Sequence, residues 1–306
     1  MRGLLRVFVL VIAGSIALMV VSSTFSFIKQ NWFGKAGGKD HVAVINLTGT
    51  ISASTRFVKD LKALTEKDNV KAIVVRINSP GGVVGPSQEM YEAIKAADAK
   101  IPVIASMGAL AASGGYYAAL GARKIYANPG TLTASIGVIM QFMNVEGLYK
   151  WARLDAYTLK AGKLKDVGSP LRRMTPEEKA YLEAMMHDIH VQFRGAVKER
   201  RKLSDEELDA VADGRVMTGS QAKTAKLVDT LGGFEDAVKE AKKLASLPDD
   251  AKVTYPTHKK GILKDVLFGQ EESDPDQESL FEGLAQAIRP ARGGWRVMLL
   301  APVALD

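Results

Sequence analysis

Within SMGALAASGGYYAALG, residues 106–121, Ser113 sits in the run AASGG, among neighbours with almost no side chain. A serine becomes a nucleophile when a base takes its proton and N–H donors receive the charge developing on the substrate oxygen. A second small-residue stretch, SPGG at 79–82, follows an apolar run. Its glycine pair lets backbone N–H groups face a cleft with no Cβ in the way, which suits an oxyanion hole. Gly114 offers another N–H directly after the serine, and a helix starting there directs its positive end toward Ser113. Taken singly, each feature has a plainer explanation: Ser113 as a small residue at a tight helix crossing, SPGG as a strand-to-helix turn.

The base is harder to find. Of the four histidines, His41 opens a strand pattern and His258 lies in a basic tail, while His187 and His190 share a helix face with no third ligand nearby in sequence. No G-x-S-x-G elbow occurs, which argues against an α/β-hydrolase. The absence of cysteine excludes thiolate nucleophiles, thiolate metal sites and disulfides. Lysine is the remaining candidate. A free lysine, with pKa about 10.4, is protonated at neutral pH and must be brought to about 7–8, a change of about 3–5 kcal/mol that burial can supply.

The elements that must carry these groups alternate in period. HVAVINLTGTI (41–51), KAIVVRIN (71–78), IPVIASM (101–107) and KIYANP (124–129) read as strands. The near-continuous apolar run of the second is what a sheet buried on both faces requires. Helical patterns cover 55–67, 86–99, a short small-residue segment from about 112, 176–200 with the TPEE start of a capped helix, and then SDEELDAVADG and GGFEDAVKEAKKLA. Strands alternating with helices predict an α/β layered domain.

Composition bounds the partners. The 306 residues are 47% hydrophobic and 25% charged, as in ordinary globular proteins, with a net charge of +7. The basic residues are interleaved with acids, and no zinc-ligand set, RNP motif or basic helix repeat points to nucleic acid. An anionic membrane surface accounts for the excess more simply. Residues 7–28 are uncharged, and at about 1.5 Å per residue they reach about 33 Å, enough for a hydrocarbon core of about 30 Å. Arg2 and Arg6 precede this span, and Lys29, Lys35 and Lys39 follow it. The leading arginines place the bulk of the chain outside the cytoplasm. The expectation is an uncleaved anchor at 1–28, with a cleaved signal peptide as the alternative. A linker at 29–40, a catalytic domain at 41–255 and a partly ordered tail at 256–306 complete the division.

RINSPGG (76–82), ASMGALAASGGYYAALGARKIYANPGTLTASIGVI (105–139), AGKLKDVGSPLRRMTPEE (161–178) and GRVMTGSQAKTAKLVDTLGG (214–233) occur in this order. Together they resemble the signal peptide peptidase A family, serine peptidases of the Clp/crotonase fold. The similarity runs from about 41 to 245, and the single leading span resembles the short form of that family. The resemblance implies Ser113 as nucleophile, Lys165 as general base, Ser135 as the residue that orients the lysine, and Gly82 with Gly114 as oxyanion donors. Where the family usually has a glycine before that last serine, this chain has Ala134. The resemblance further implies an acyl-enzyme endopeptidase of the bacterial inner membrane that cleaves remnant signal peptides, assembles as a homo-oligomeric ring and uses no metal or cofactor. It also requires Asp166 to point away from Lys165, since a close carboxylate would restore the charge on the amine. Two alternatives stay open: a crotonase-like acyl-CoA enzyme with the same glycine-lined hole, and a non-catalytic membrane scaffold.

Overall fold

The computed structural model describes residues 39–255 and the strand 298–300. The expected membrane span at 7–28, nearly all of the linker and most of the tail lie outside the described residues. Among the described residues no helix is long and apolar enough to cross a membrane.

The parallel strands β1 (His41–Thr48) and β2 (Val70–Ser79) pair from Val42–Ala72 to Thr48–Asn78. Between them in sequence, α1 (Thr55–Thr65) buries Phe57, Leu61 and Leu64, an i, i+4, i+7 stripe. β3 (Gly81–Val83) leaves the end of β2 and runs directly into α2 (Val84–Asp98), which buries Ser87, Met90, Tyr91, Ile94 and Ala97. β4 (Val103–Ala112) pairs with β2 from Val103 to Met107 and again at Ala111, and Ser113 links its end to α3 (Gly114–Ala119). Along its other edge β4 pairs first with β5 (Lys124–Ala127) and then with β6 (Leu132–Ala134).

The remaining elements close the domain. α4 (Glu146–Trp151) and the long α5 (Pro176–Arg201) are followed by α6 (Asp205–Asp209), β7 (Val216–Thr218), α7 (Gly219–Thr224), β8 (Thr230–Leu231), α8 (Phe234–Leu244) and β9 (Val253–Thr254). The main sheet has the order β7-β6-β4-β2-β1-β9, with β5 and β8 branching from β4. The described strand β10 (Met298–Leu300) pairs antiparallel with β3.

Side chains of β1 and β2 alternate between two buried faces. Ala43, Ile45, Leu47, Ile73, Val75 and Ile77 join one core, while Val42, Val44, Ala72 and Val74 join the other. The second face packs against Ala237, Val238 and Ala241 of α8. Helices on both faces of a mostly parallel sheet explain why KAIVVRIN is apolar almost throughout.

The long elements match the expected pattern, with two informative differences. The strand expected at 101–107 continues to Ala112, because its second half pairs with β6 while Ala111 still pairs with Ser79. The helix expected in SDEELDAVADG is confined to 205–209. The strands β3 and β6 to β9 have two or three residues each, too few to show a period.

Tyr116 anchors α3 in this frame. Its ring is fully buried and its hydroxyl donates to the Leu227 carbonyl at 2.9 Å. Burial pushes the phenol well above its ordinary pKa, so it remains a donor. Tyr116→Phe leaves that carbonyl without its partner, and a loss of about 1–2 kcal/mol is expected in urea unfolding, with the denaturant slope unchanged. Unchanged stability would show that the bond contributes nothing net.

Candidate active site

Ser113 stands where β4 stops and α3 starts, with φ 53° and ψ −116°. A non-glycine residue in that region carries about 1–3 kcal/mol of strain and persists only when its surroundings over-determine it. Here they do. The Ser113 N–H donates to the Ala134 carbonyl at 2.8 Å, and the Ser113 carbonyl accepts from Tyr117 N–H at 2.8 Å. The side chain is fully buried, and among the described residues its Oγ is the one buried side-chain N or O atom with no hydrogen-bond partner. A buried hydroxyl without a partner costs about 1–3 kcal/mol, so strain and desolvation converge on one residue.

The second serine lies alongside. The parallel register Leu110–Leu132, Ala111–Thr133, Ala112–Ala134 brings the end of β6 beside the end of β4, so Ser135 follows β6 as Ser113 follows β4. Ala134 and Ser135 have φ of 63° and 53°, and Ser135 N–H is held by the Arg215 carbonyl at 2.9 Å. Ala134 thus occupies the left-handed region that favours glycine. The chain makes the same turn with alanine that a glycine would make more easily.

The glycines are placed by close backbone approach. A Cβ on Gly114 would come within 2.5 Å of Ser87 Oγ and 3.2 Å of Gly82 N, and one on Gly82 within 2.1 Å of the Ile51 carbonyl oxygen. Neither position admits a side chain. Ile51 N–H donates to the Gly81 carbonyl at 2.8 Å and Val83 N–H donates to the Ile51 carbonyl at 2.7 Å. Strand alternation therefore turns the N–H and C=O of Gly82 toward the opposite edge. On that edge Leu299 of β10 pairs with Gly82, flanked by Met298 on Val83 and Leu300 on Gly81.

Ser79 locks this arrangement, and sequence reading alone did not single it out. It is fully buried, its Oγ donates to the Gly49 carbonyl at 2.6 Å and it accepts from Gly81 N–H at 3.1 Å. Its only signal was its place at the head of SPGG.

Lys165 differs from these buried residues. It is exposed on the turn 163–168, with its N–H on the Gly162 carbonyl at 3.1 Å, and its amine does not hydrogen-bond Ser113 Oγ. The single chain therefore brings together Ser113, Ser135, Gly82 and Gly114 as a buried group, and leaves Lys165 exposed with no hydrogen bond to the serine. The Asp166 carboxylate is bound by Lys160 and Arg172 instead of Lys165. The connection preceding this turn is apolar and open: Met143, Leu148, Trp151, Leu154, Tyr157 and Leu159 are all more than half exposed.

Comparison with known proteins decides the lineage. A family model described as peptidase family S49 matches residues 95–248, half of the chain, and one described as Clp protease matches residues 40–133. A Synechocystis protein named as a protease is 38% identical over 261 residues, covering 84% of this chain and 93% of its own length. The chain belongs to peptidase family S49. The S49 chain is also 32% identical to the chloroplastic serine protease SPPA of Arabidopsis thaliana, across 88% of itself and 42% of that protein. An Enterococcus faecium protein carrying the name signal peptide peptidase SppA is 34% identical, with 69% of this chain and 62% of that one covered. The chain thus spans less than two thirds of these last two relatives. Family membership makes it a serine protease with a Clp protease-like α/β fold, and a serine protease must present a reactive serine.

The strain at Ser113 has a measurable consequence. Ser113→Ala removes the unpaired hydroxyl and is expected to stabilise the fold by about 1 kcal/mol. Ser113→Gly also relieves the backbone and is expected to exceed the alanine variant by about 1 kcal/mol, as read from urea midpoints. A glycine variant no more stable than the alanine one shows that the turn is not strained.

Proposed function

We propose that this S49 peptidase cleaves peptides through an acyl-enzyme on Ser113, with Lys165 as general base. Ser135 orients the lysine, and the N–H groups of Gly82 and Gly114 receive the oxyanion. The observation that carries this reading is Ser113 itself, strained, buried and without a partner at the mouth of a glycine-lined turn. Ser113 Oγ attacks the scissile carbonyl carbon and its proton passes to Lys165. The lysine returns that proton to the leaving amine, and water activated by the same lysine then hydrolyses the ester.

An extended substrate adds to the outer edge of β3 by main-chain hydrogen bonds. The pairing of β10 with that edge supports this mode, because an antiparallel strand of this chain already fits it. For chemistry the lysine must lose water. The exposed apolar connection before it supports a homo-oligomer in which a second copy covers that surface and desolvates the amine. A membrane-anchored form acting outside the cytoplasm on remnant signal peptides follows from the uncharged span at 7–28 and from the family resemblance. Small or apolar side chains then suit its pockets.

Ser113→Ala and Lys165→Met are each expected to lower peptide turnover by about a thousand-fold or more. Labelling of Ser113 by a serine-directed acylating inhibitor, followed by mass spectrometry, separates this reading from an acyl-CoA hydratase, which forms no acyl-serine. Full turnover in either variant sinks the dyad. Because β10 and substrate share one edge, a chain ending at residue 296 is expected to show a several-fold lower KM for an extended peptide, with kcat less affected. An unchanged KM places the two strands on different edges.

A further inference from the structure

The turn that carries Lys165 is crowded with charge. Lys160, Lys163 and Asp166 lie on or beside it, Arg172 and Arg173 are in the connection to α5, and Glu177 and Glu178 are in the first turn of α5. Each of the three carboxylates is bound to a cation other than Lys165. Asp166 takes Lys160 and Arg172, Glu177 takes Lys163, and Glu178 takes Arg172.

Arg172 does most of this. Its guanidinium forks onto Glu178, with contacts of 2.8 and 2.5 Å, and reaches Asp166 Oδ2 at 3.0 Å and the Asp166 carbonyl at 3.3 Å. Glu178 is nearly fully buried and also closes the capping box of α5, accepting from Thr175 N–H at 2.9 Å. Arg172 is thus fixed on the helix by a bidentate pair and bound by its other side to the residue next to Lys165. Arg172 first and Lys160 second hold the Asp166 carboxyl well below the ordinary carboxylate range, so it is an anion at every working pH.

We propose that Arg172 is a positioning residue for the reaction: it binds the Asp166 carboxylate so that this anion cannot pair with Lys165 and keep the amine protonated. The proposal rests on Lys165 as the base. A carboxylate released to within about 4–6 Å of the amine would move its deprotonation to higher pH by about one to three pH units. Lys160 shares the task from the other side of Asp166 through its own ion pair, while its ammonium also donates to the Lys163 carbonyl at 3.0 Å.

The test is the pH dependence of kcat/KM for an extended fluorogenic peptide, measured on the full chain. Arg172→Met is expected to move the acidic limb upward by about one pH unit or more, so that activity falls about ten-fold at neutral pH and recovers in alkali. Arg172→Met/Asp166→Asn is expected to return the limb to its parental position, which a purely structural role for Arg172 would not do. Lys160→Met leaves the Arg172–Glu178 pair intact and is expected to move the limb the same way by less. If Arg172→Met does not fold, Lys160→Met and Lys160→Met/Asp166→Asn decide in the same manner. A limb that stays in place in the single variants, or stays displaced in the double one, overturns the proposal. Lys165→Met tells the two failures apart. If that variant is active, the base assignment fails; if it is inactive while the limb does not move, the role of Arg172 fails alone.

Discussion

The hydrogen bond from Ser113 N–H to the Ala134 carbonyl, 2.8 Å long, is the contact on which the rest of the site depends. It is the last rung between β4 and β6, made just after the regular ladder ends at Ala112 and Ala134. With it in place, Ser113 is held at positive φ and the chain turns into α3 without an intervening loop. The same rung brings the residue after Ala134, Ser135, alongside Ser113. The sheet supplies the rigidity that offsets the strain, since β4 is buried among β2, β5 and β6 and cannot relax locally.

Around that rung the backbones approach too closely for side chains. Gly114 meets Gly81 and Gly82, while Gly82 meets Ile51 on its other side. Small residues here are a packing requirement and a chemical one together. In the proposed mechanism the close approach that excludes a Cβ is also what lets these N–H groups receive a substrate oxygen. β3 has one edge satisfied by Ile51 and the other by β10, so the edge suited to an incoming peptide is already a strand-binding edge in the free chain.

The two halves of the proposed machinery differ in physical character. Ser113 follows directly on the sheet and is held by backbone hydrogen bonds to Ala134 and Tyr117, as suits a nucleophile that must meet its oxyanion donors in a set geometry. Lys165 belongs to a turn outside the sheet, tied through Arg172 and Glu178 to the start of α5. It is exposed in the single chain, and the connection that precedes it carries exposed apolar side chains that water does not favour. In the proposed mechanism, a base on a separate, coverable segment is desolvated when that segment is covered, the condition under which a lysine becomes neutral.

Much of this was written in the residue order. The alternation of apolar strands with amphipathic helices determined the layered α/β class, because burial on two faces and on one stripe leave different periods. The TPEE start determined the cap of α5, since capping is local chemistry between Thr175 and Glu178. The small residues at 79–82 and 112–115 marked where backbones had to come close. Only the tertiary structure decided what they come close to. The meeting of Gly114 with Gly82, the rung from Ser113 to Ala134, the positive φ of Ala134 and the seat of β10 on β3 all join segments distant in sequence. Short strands of two to four residues have no period of their own, and their partners are chosen by the sheet that forms around them. The position of Lys165 follows the same rule: the sequence determined which charges lie near it, and the fold decided which of them pair with one another instead.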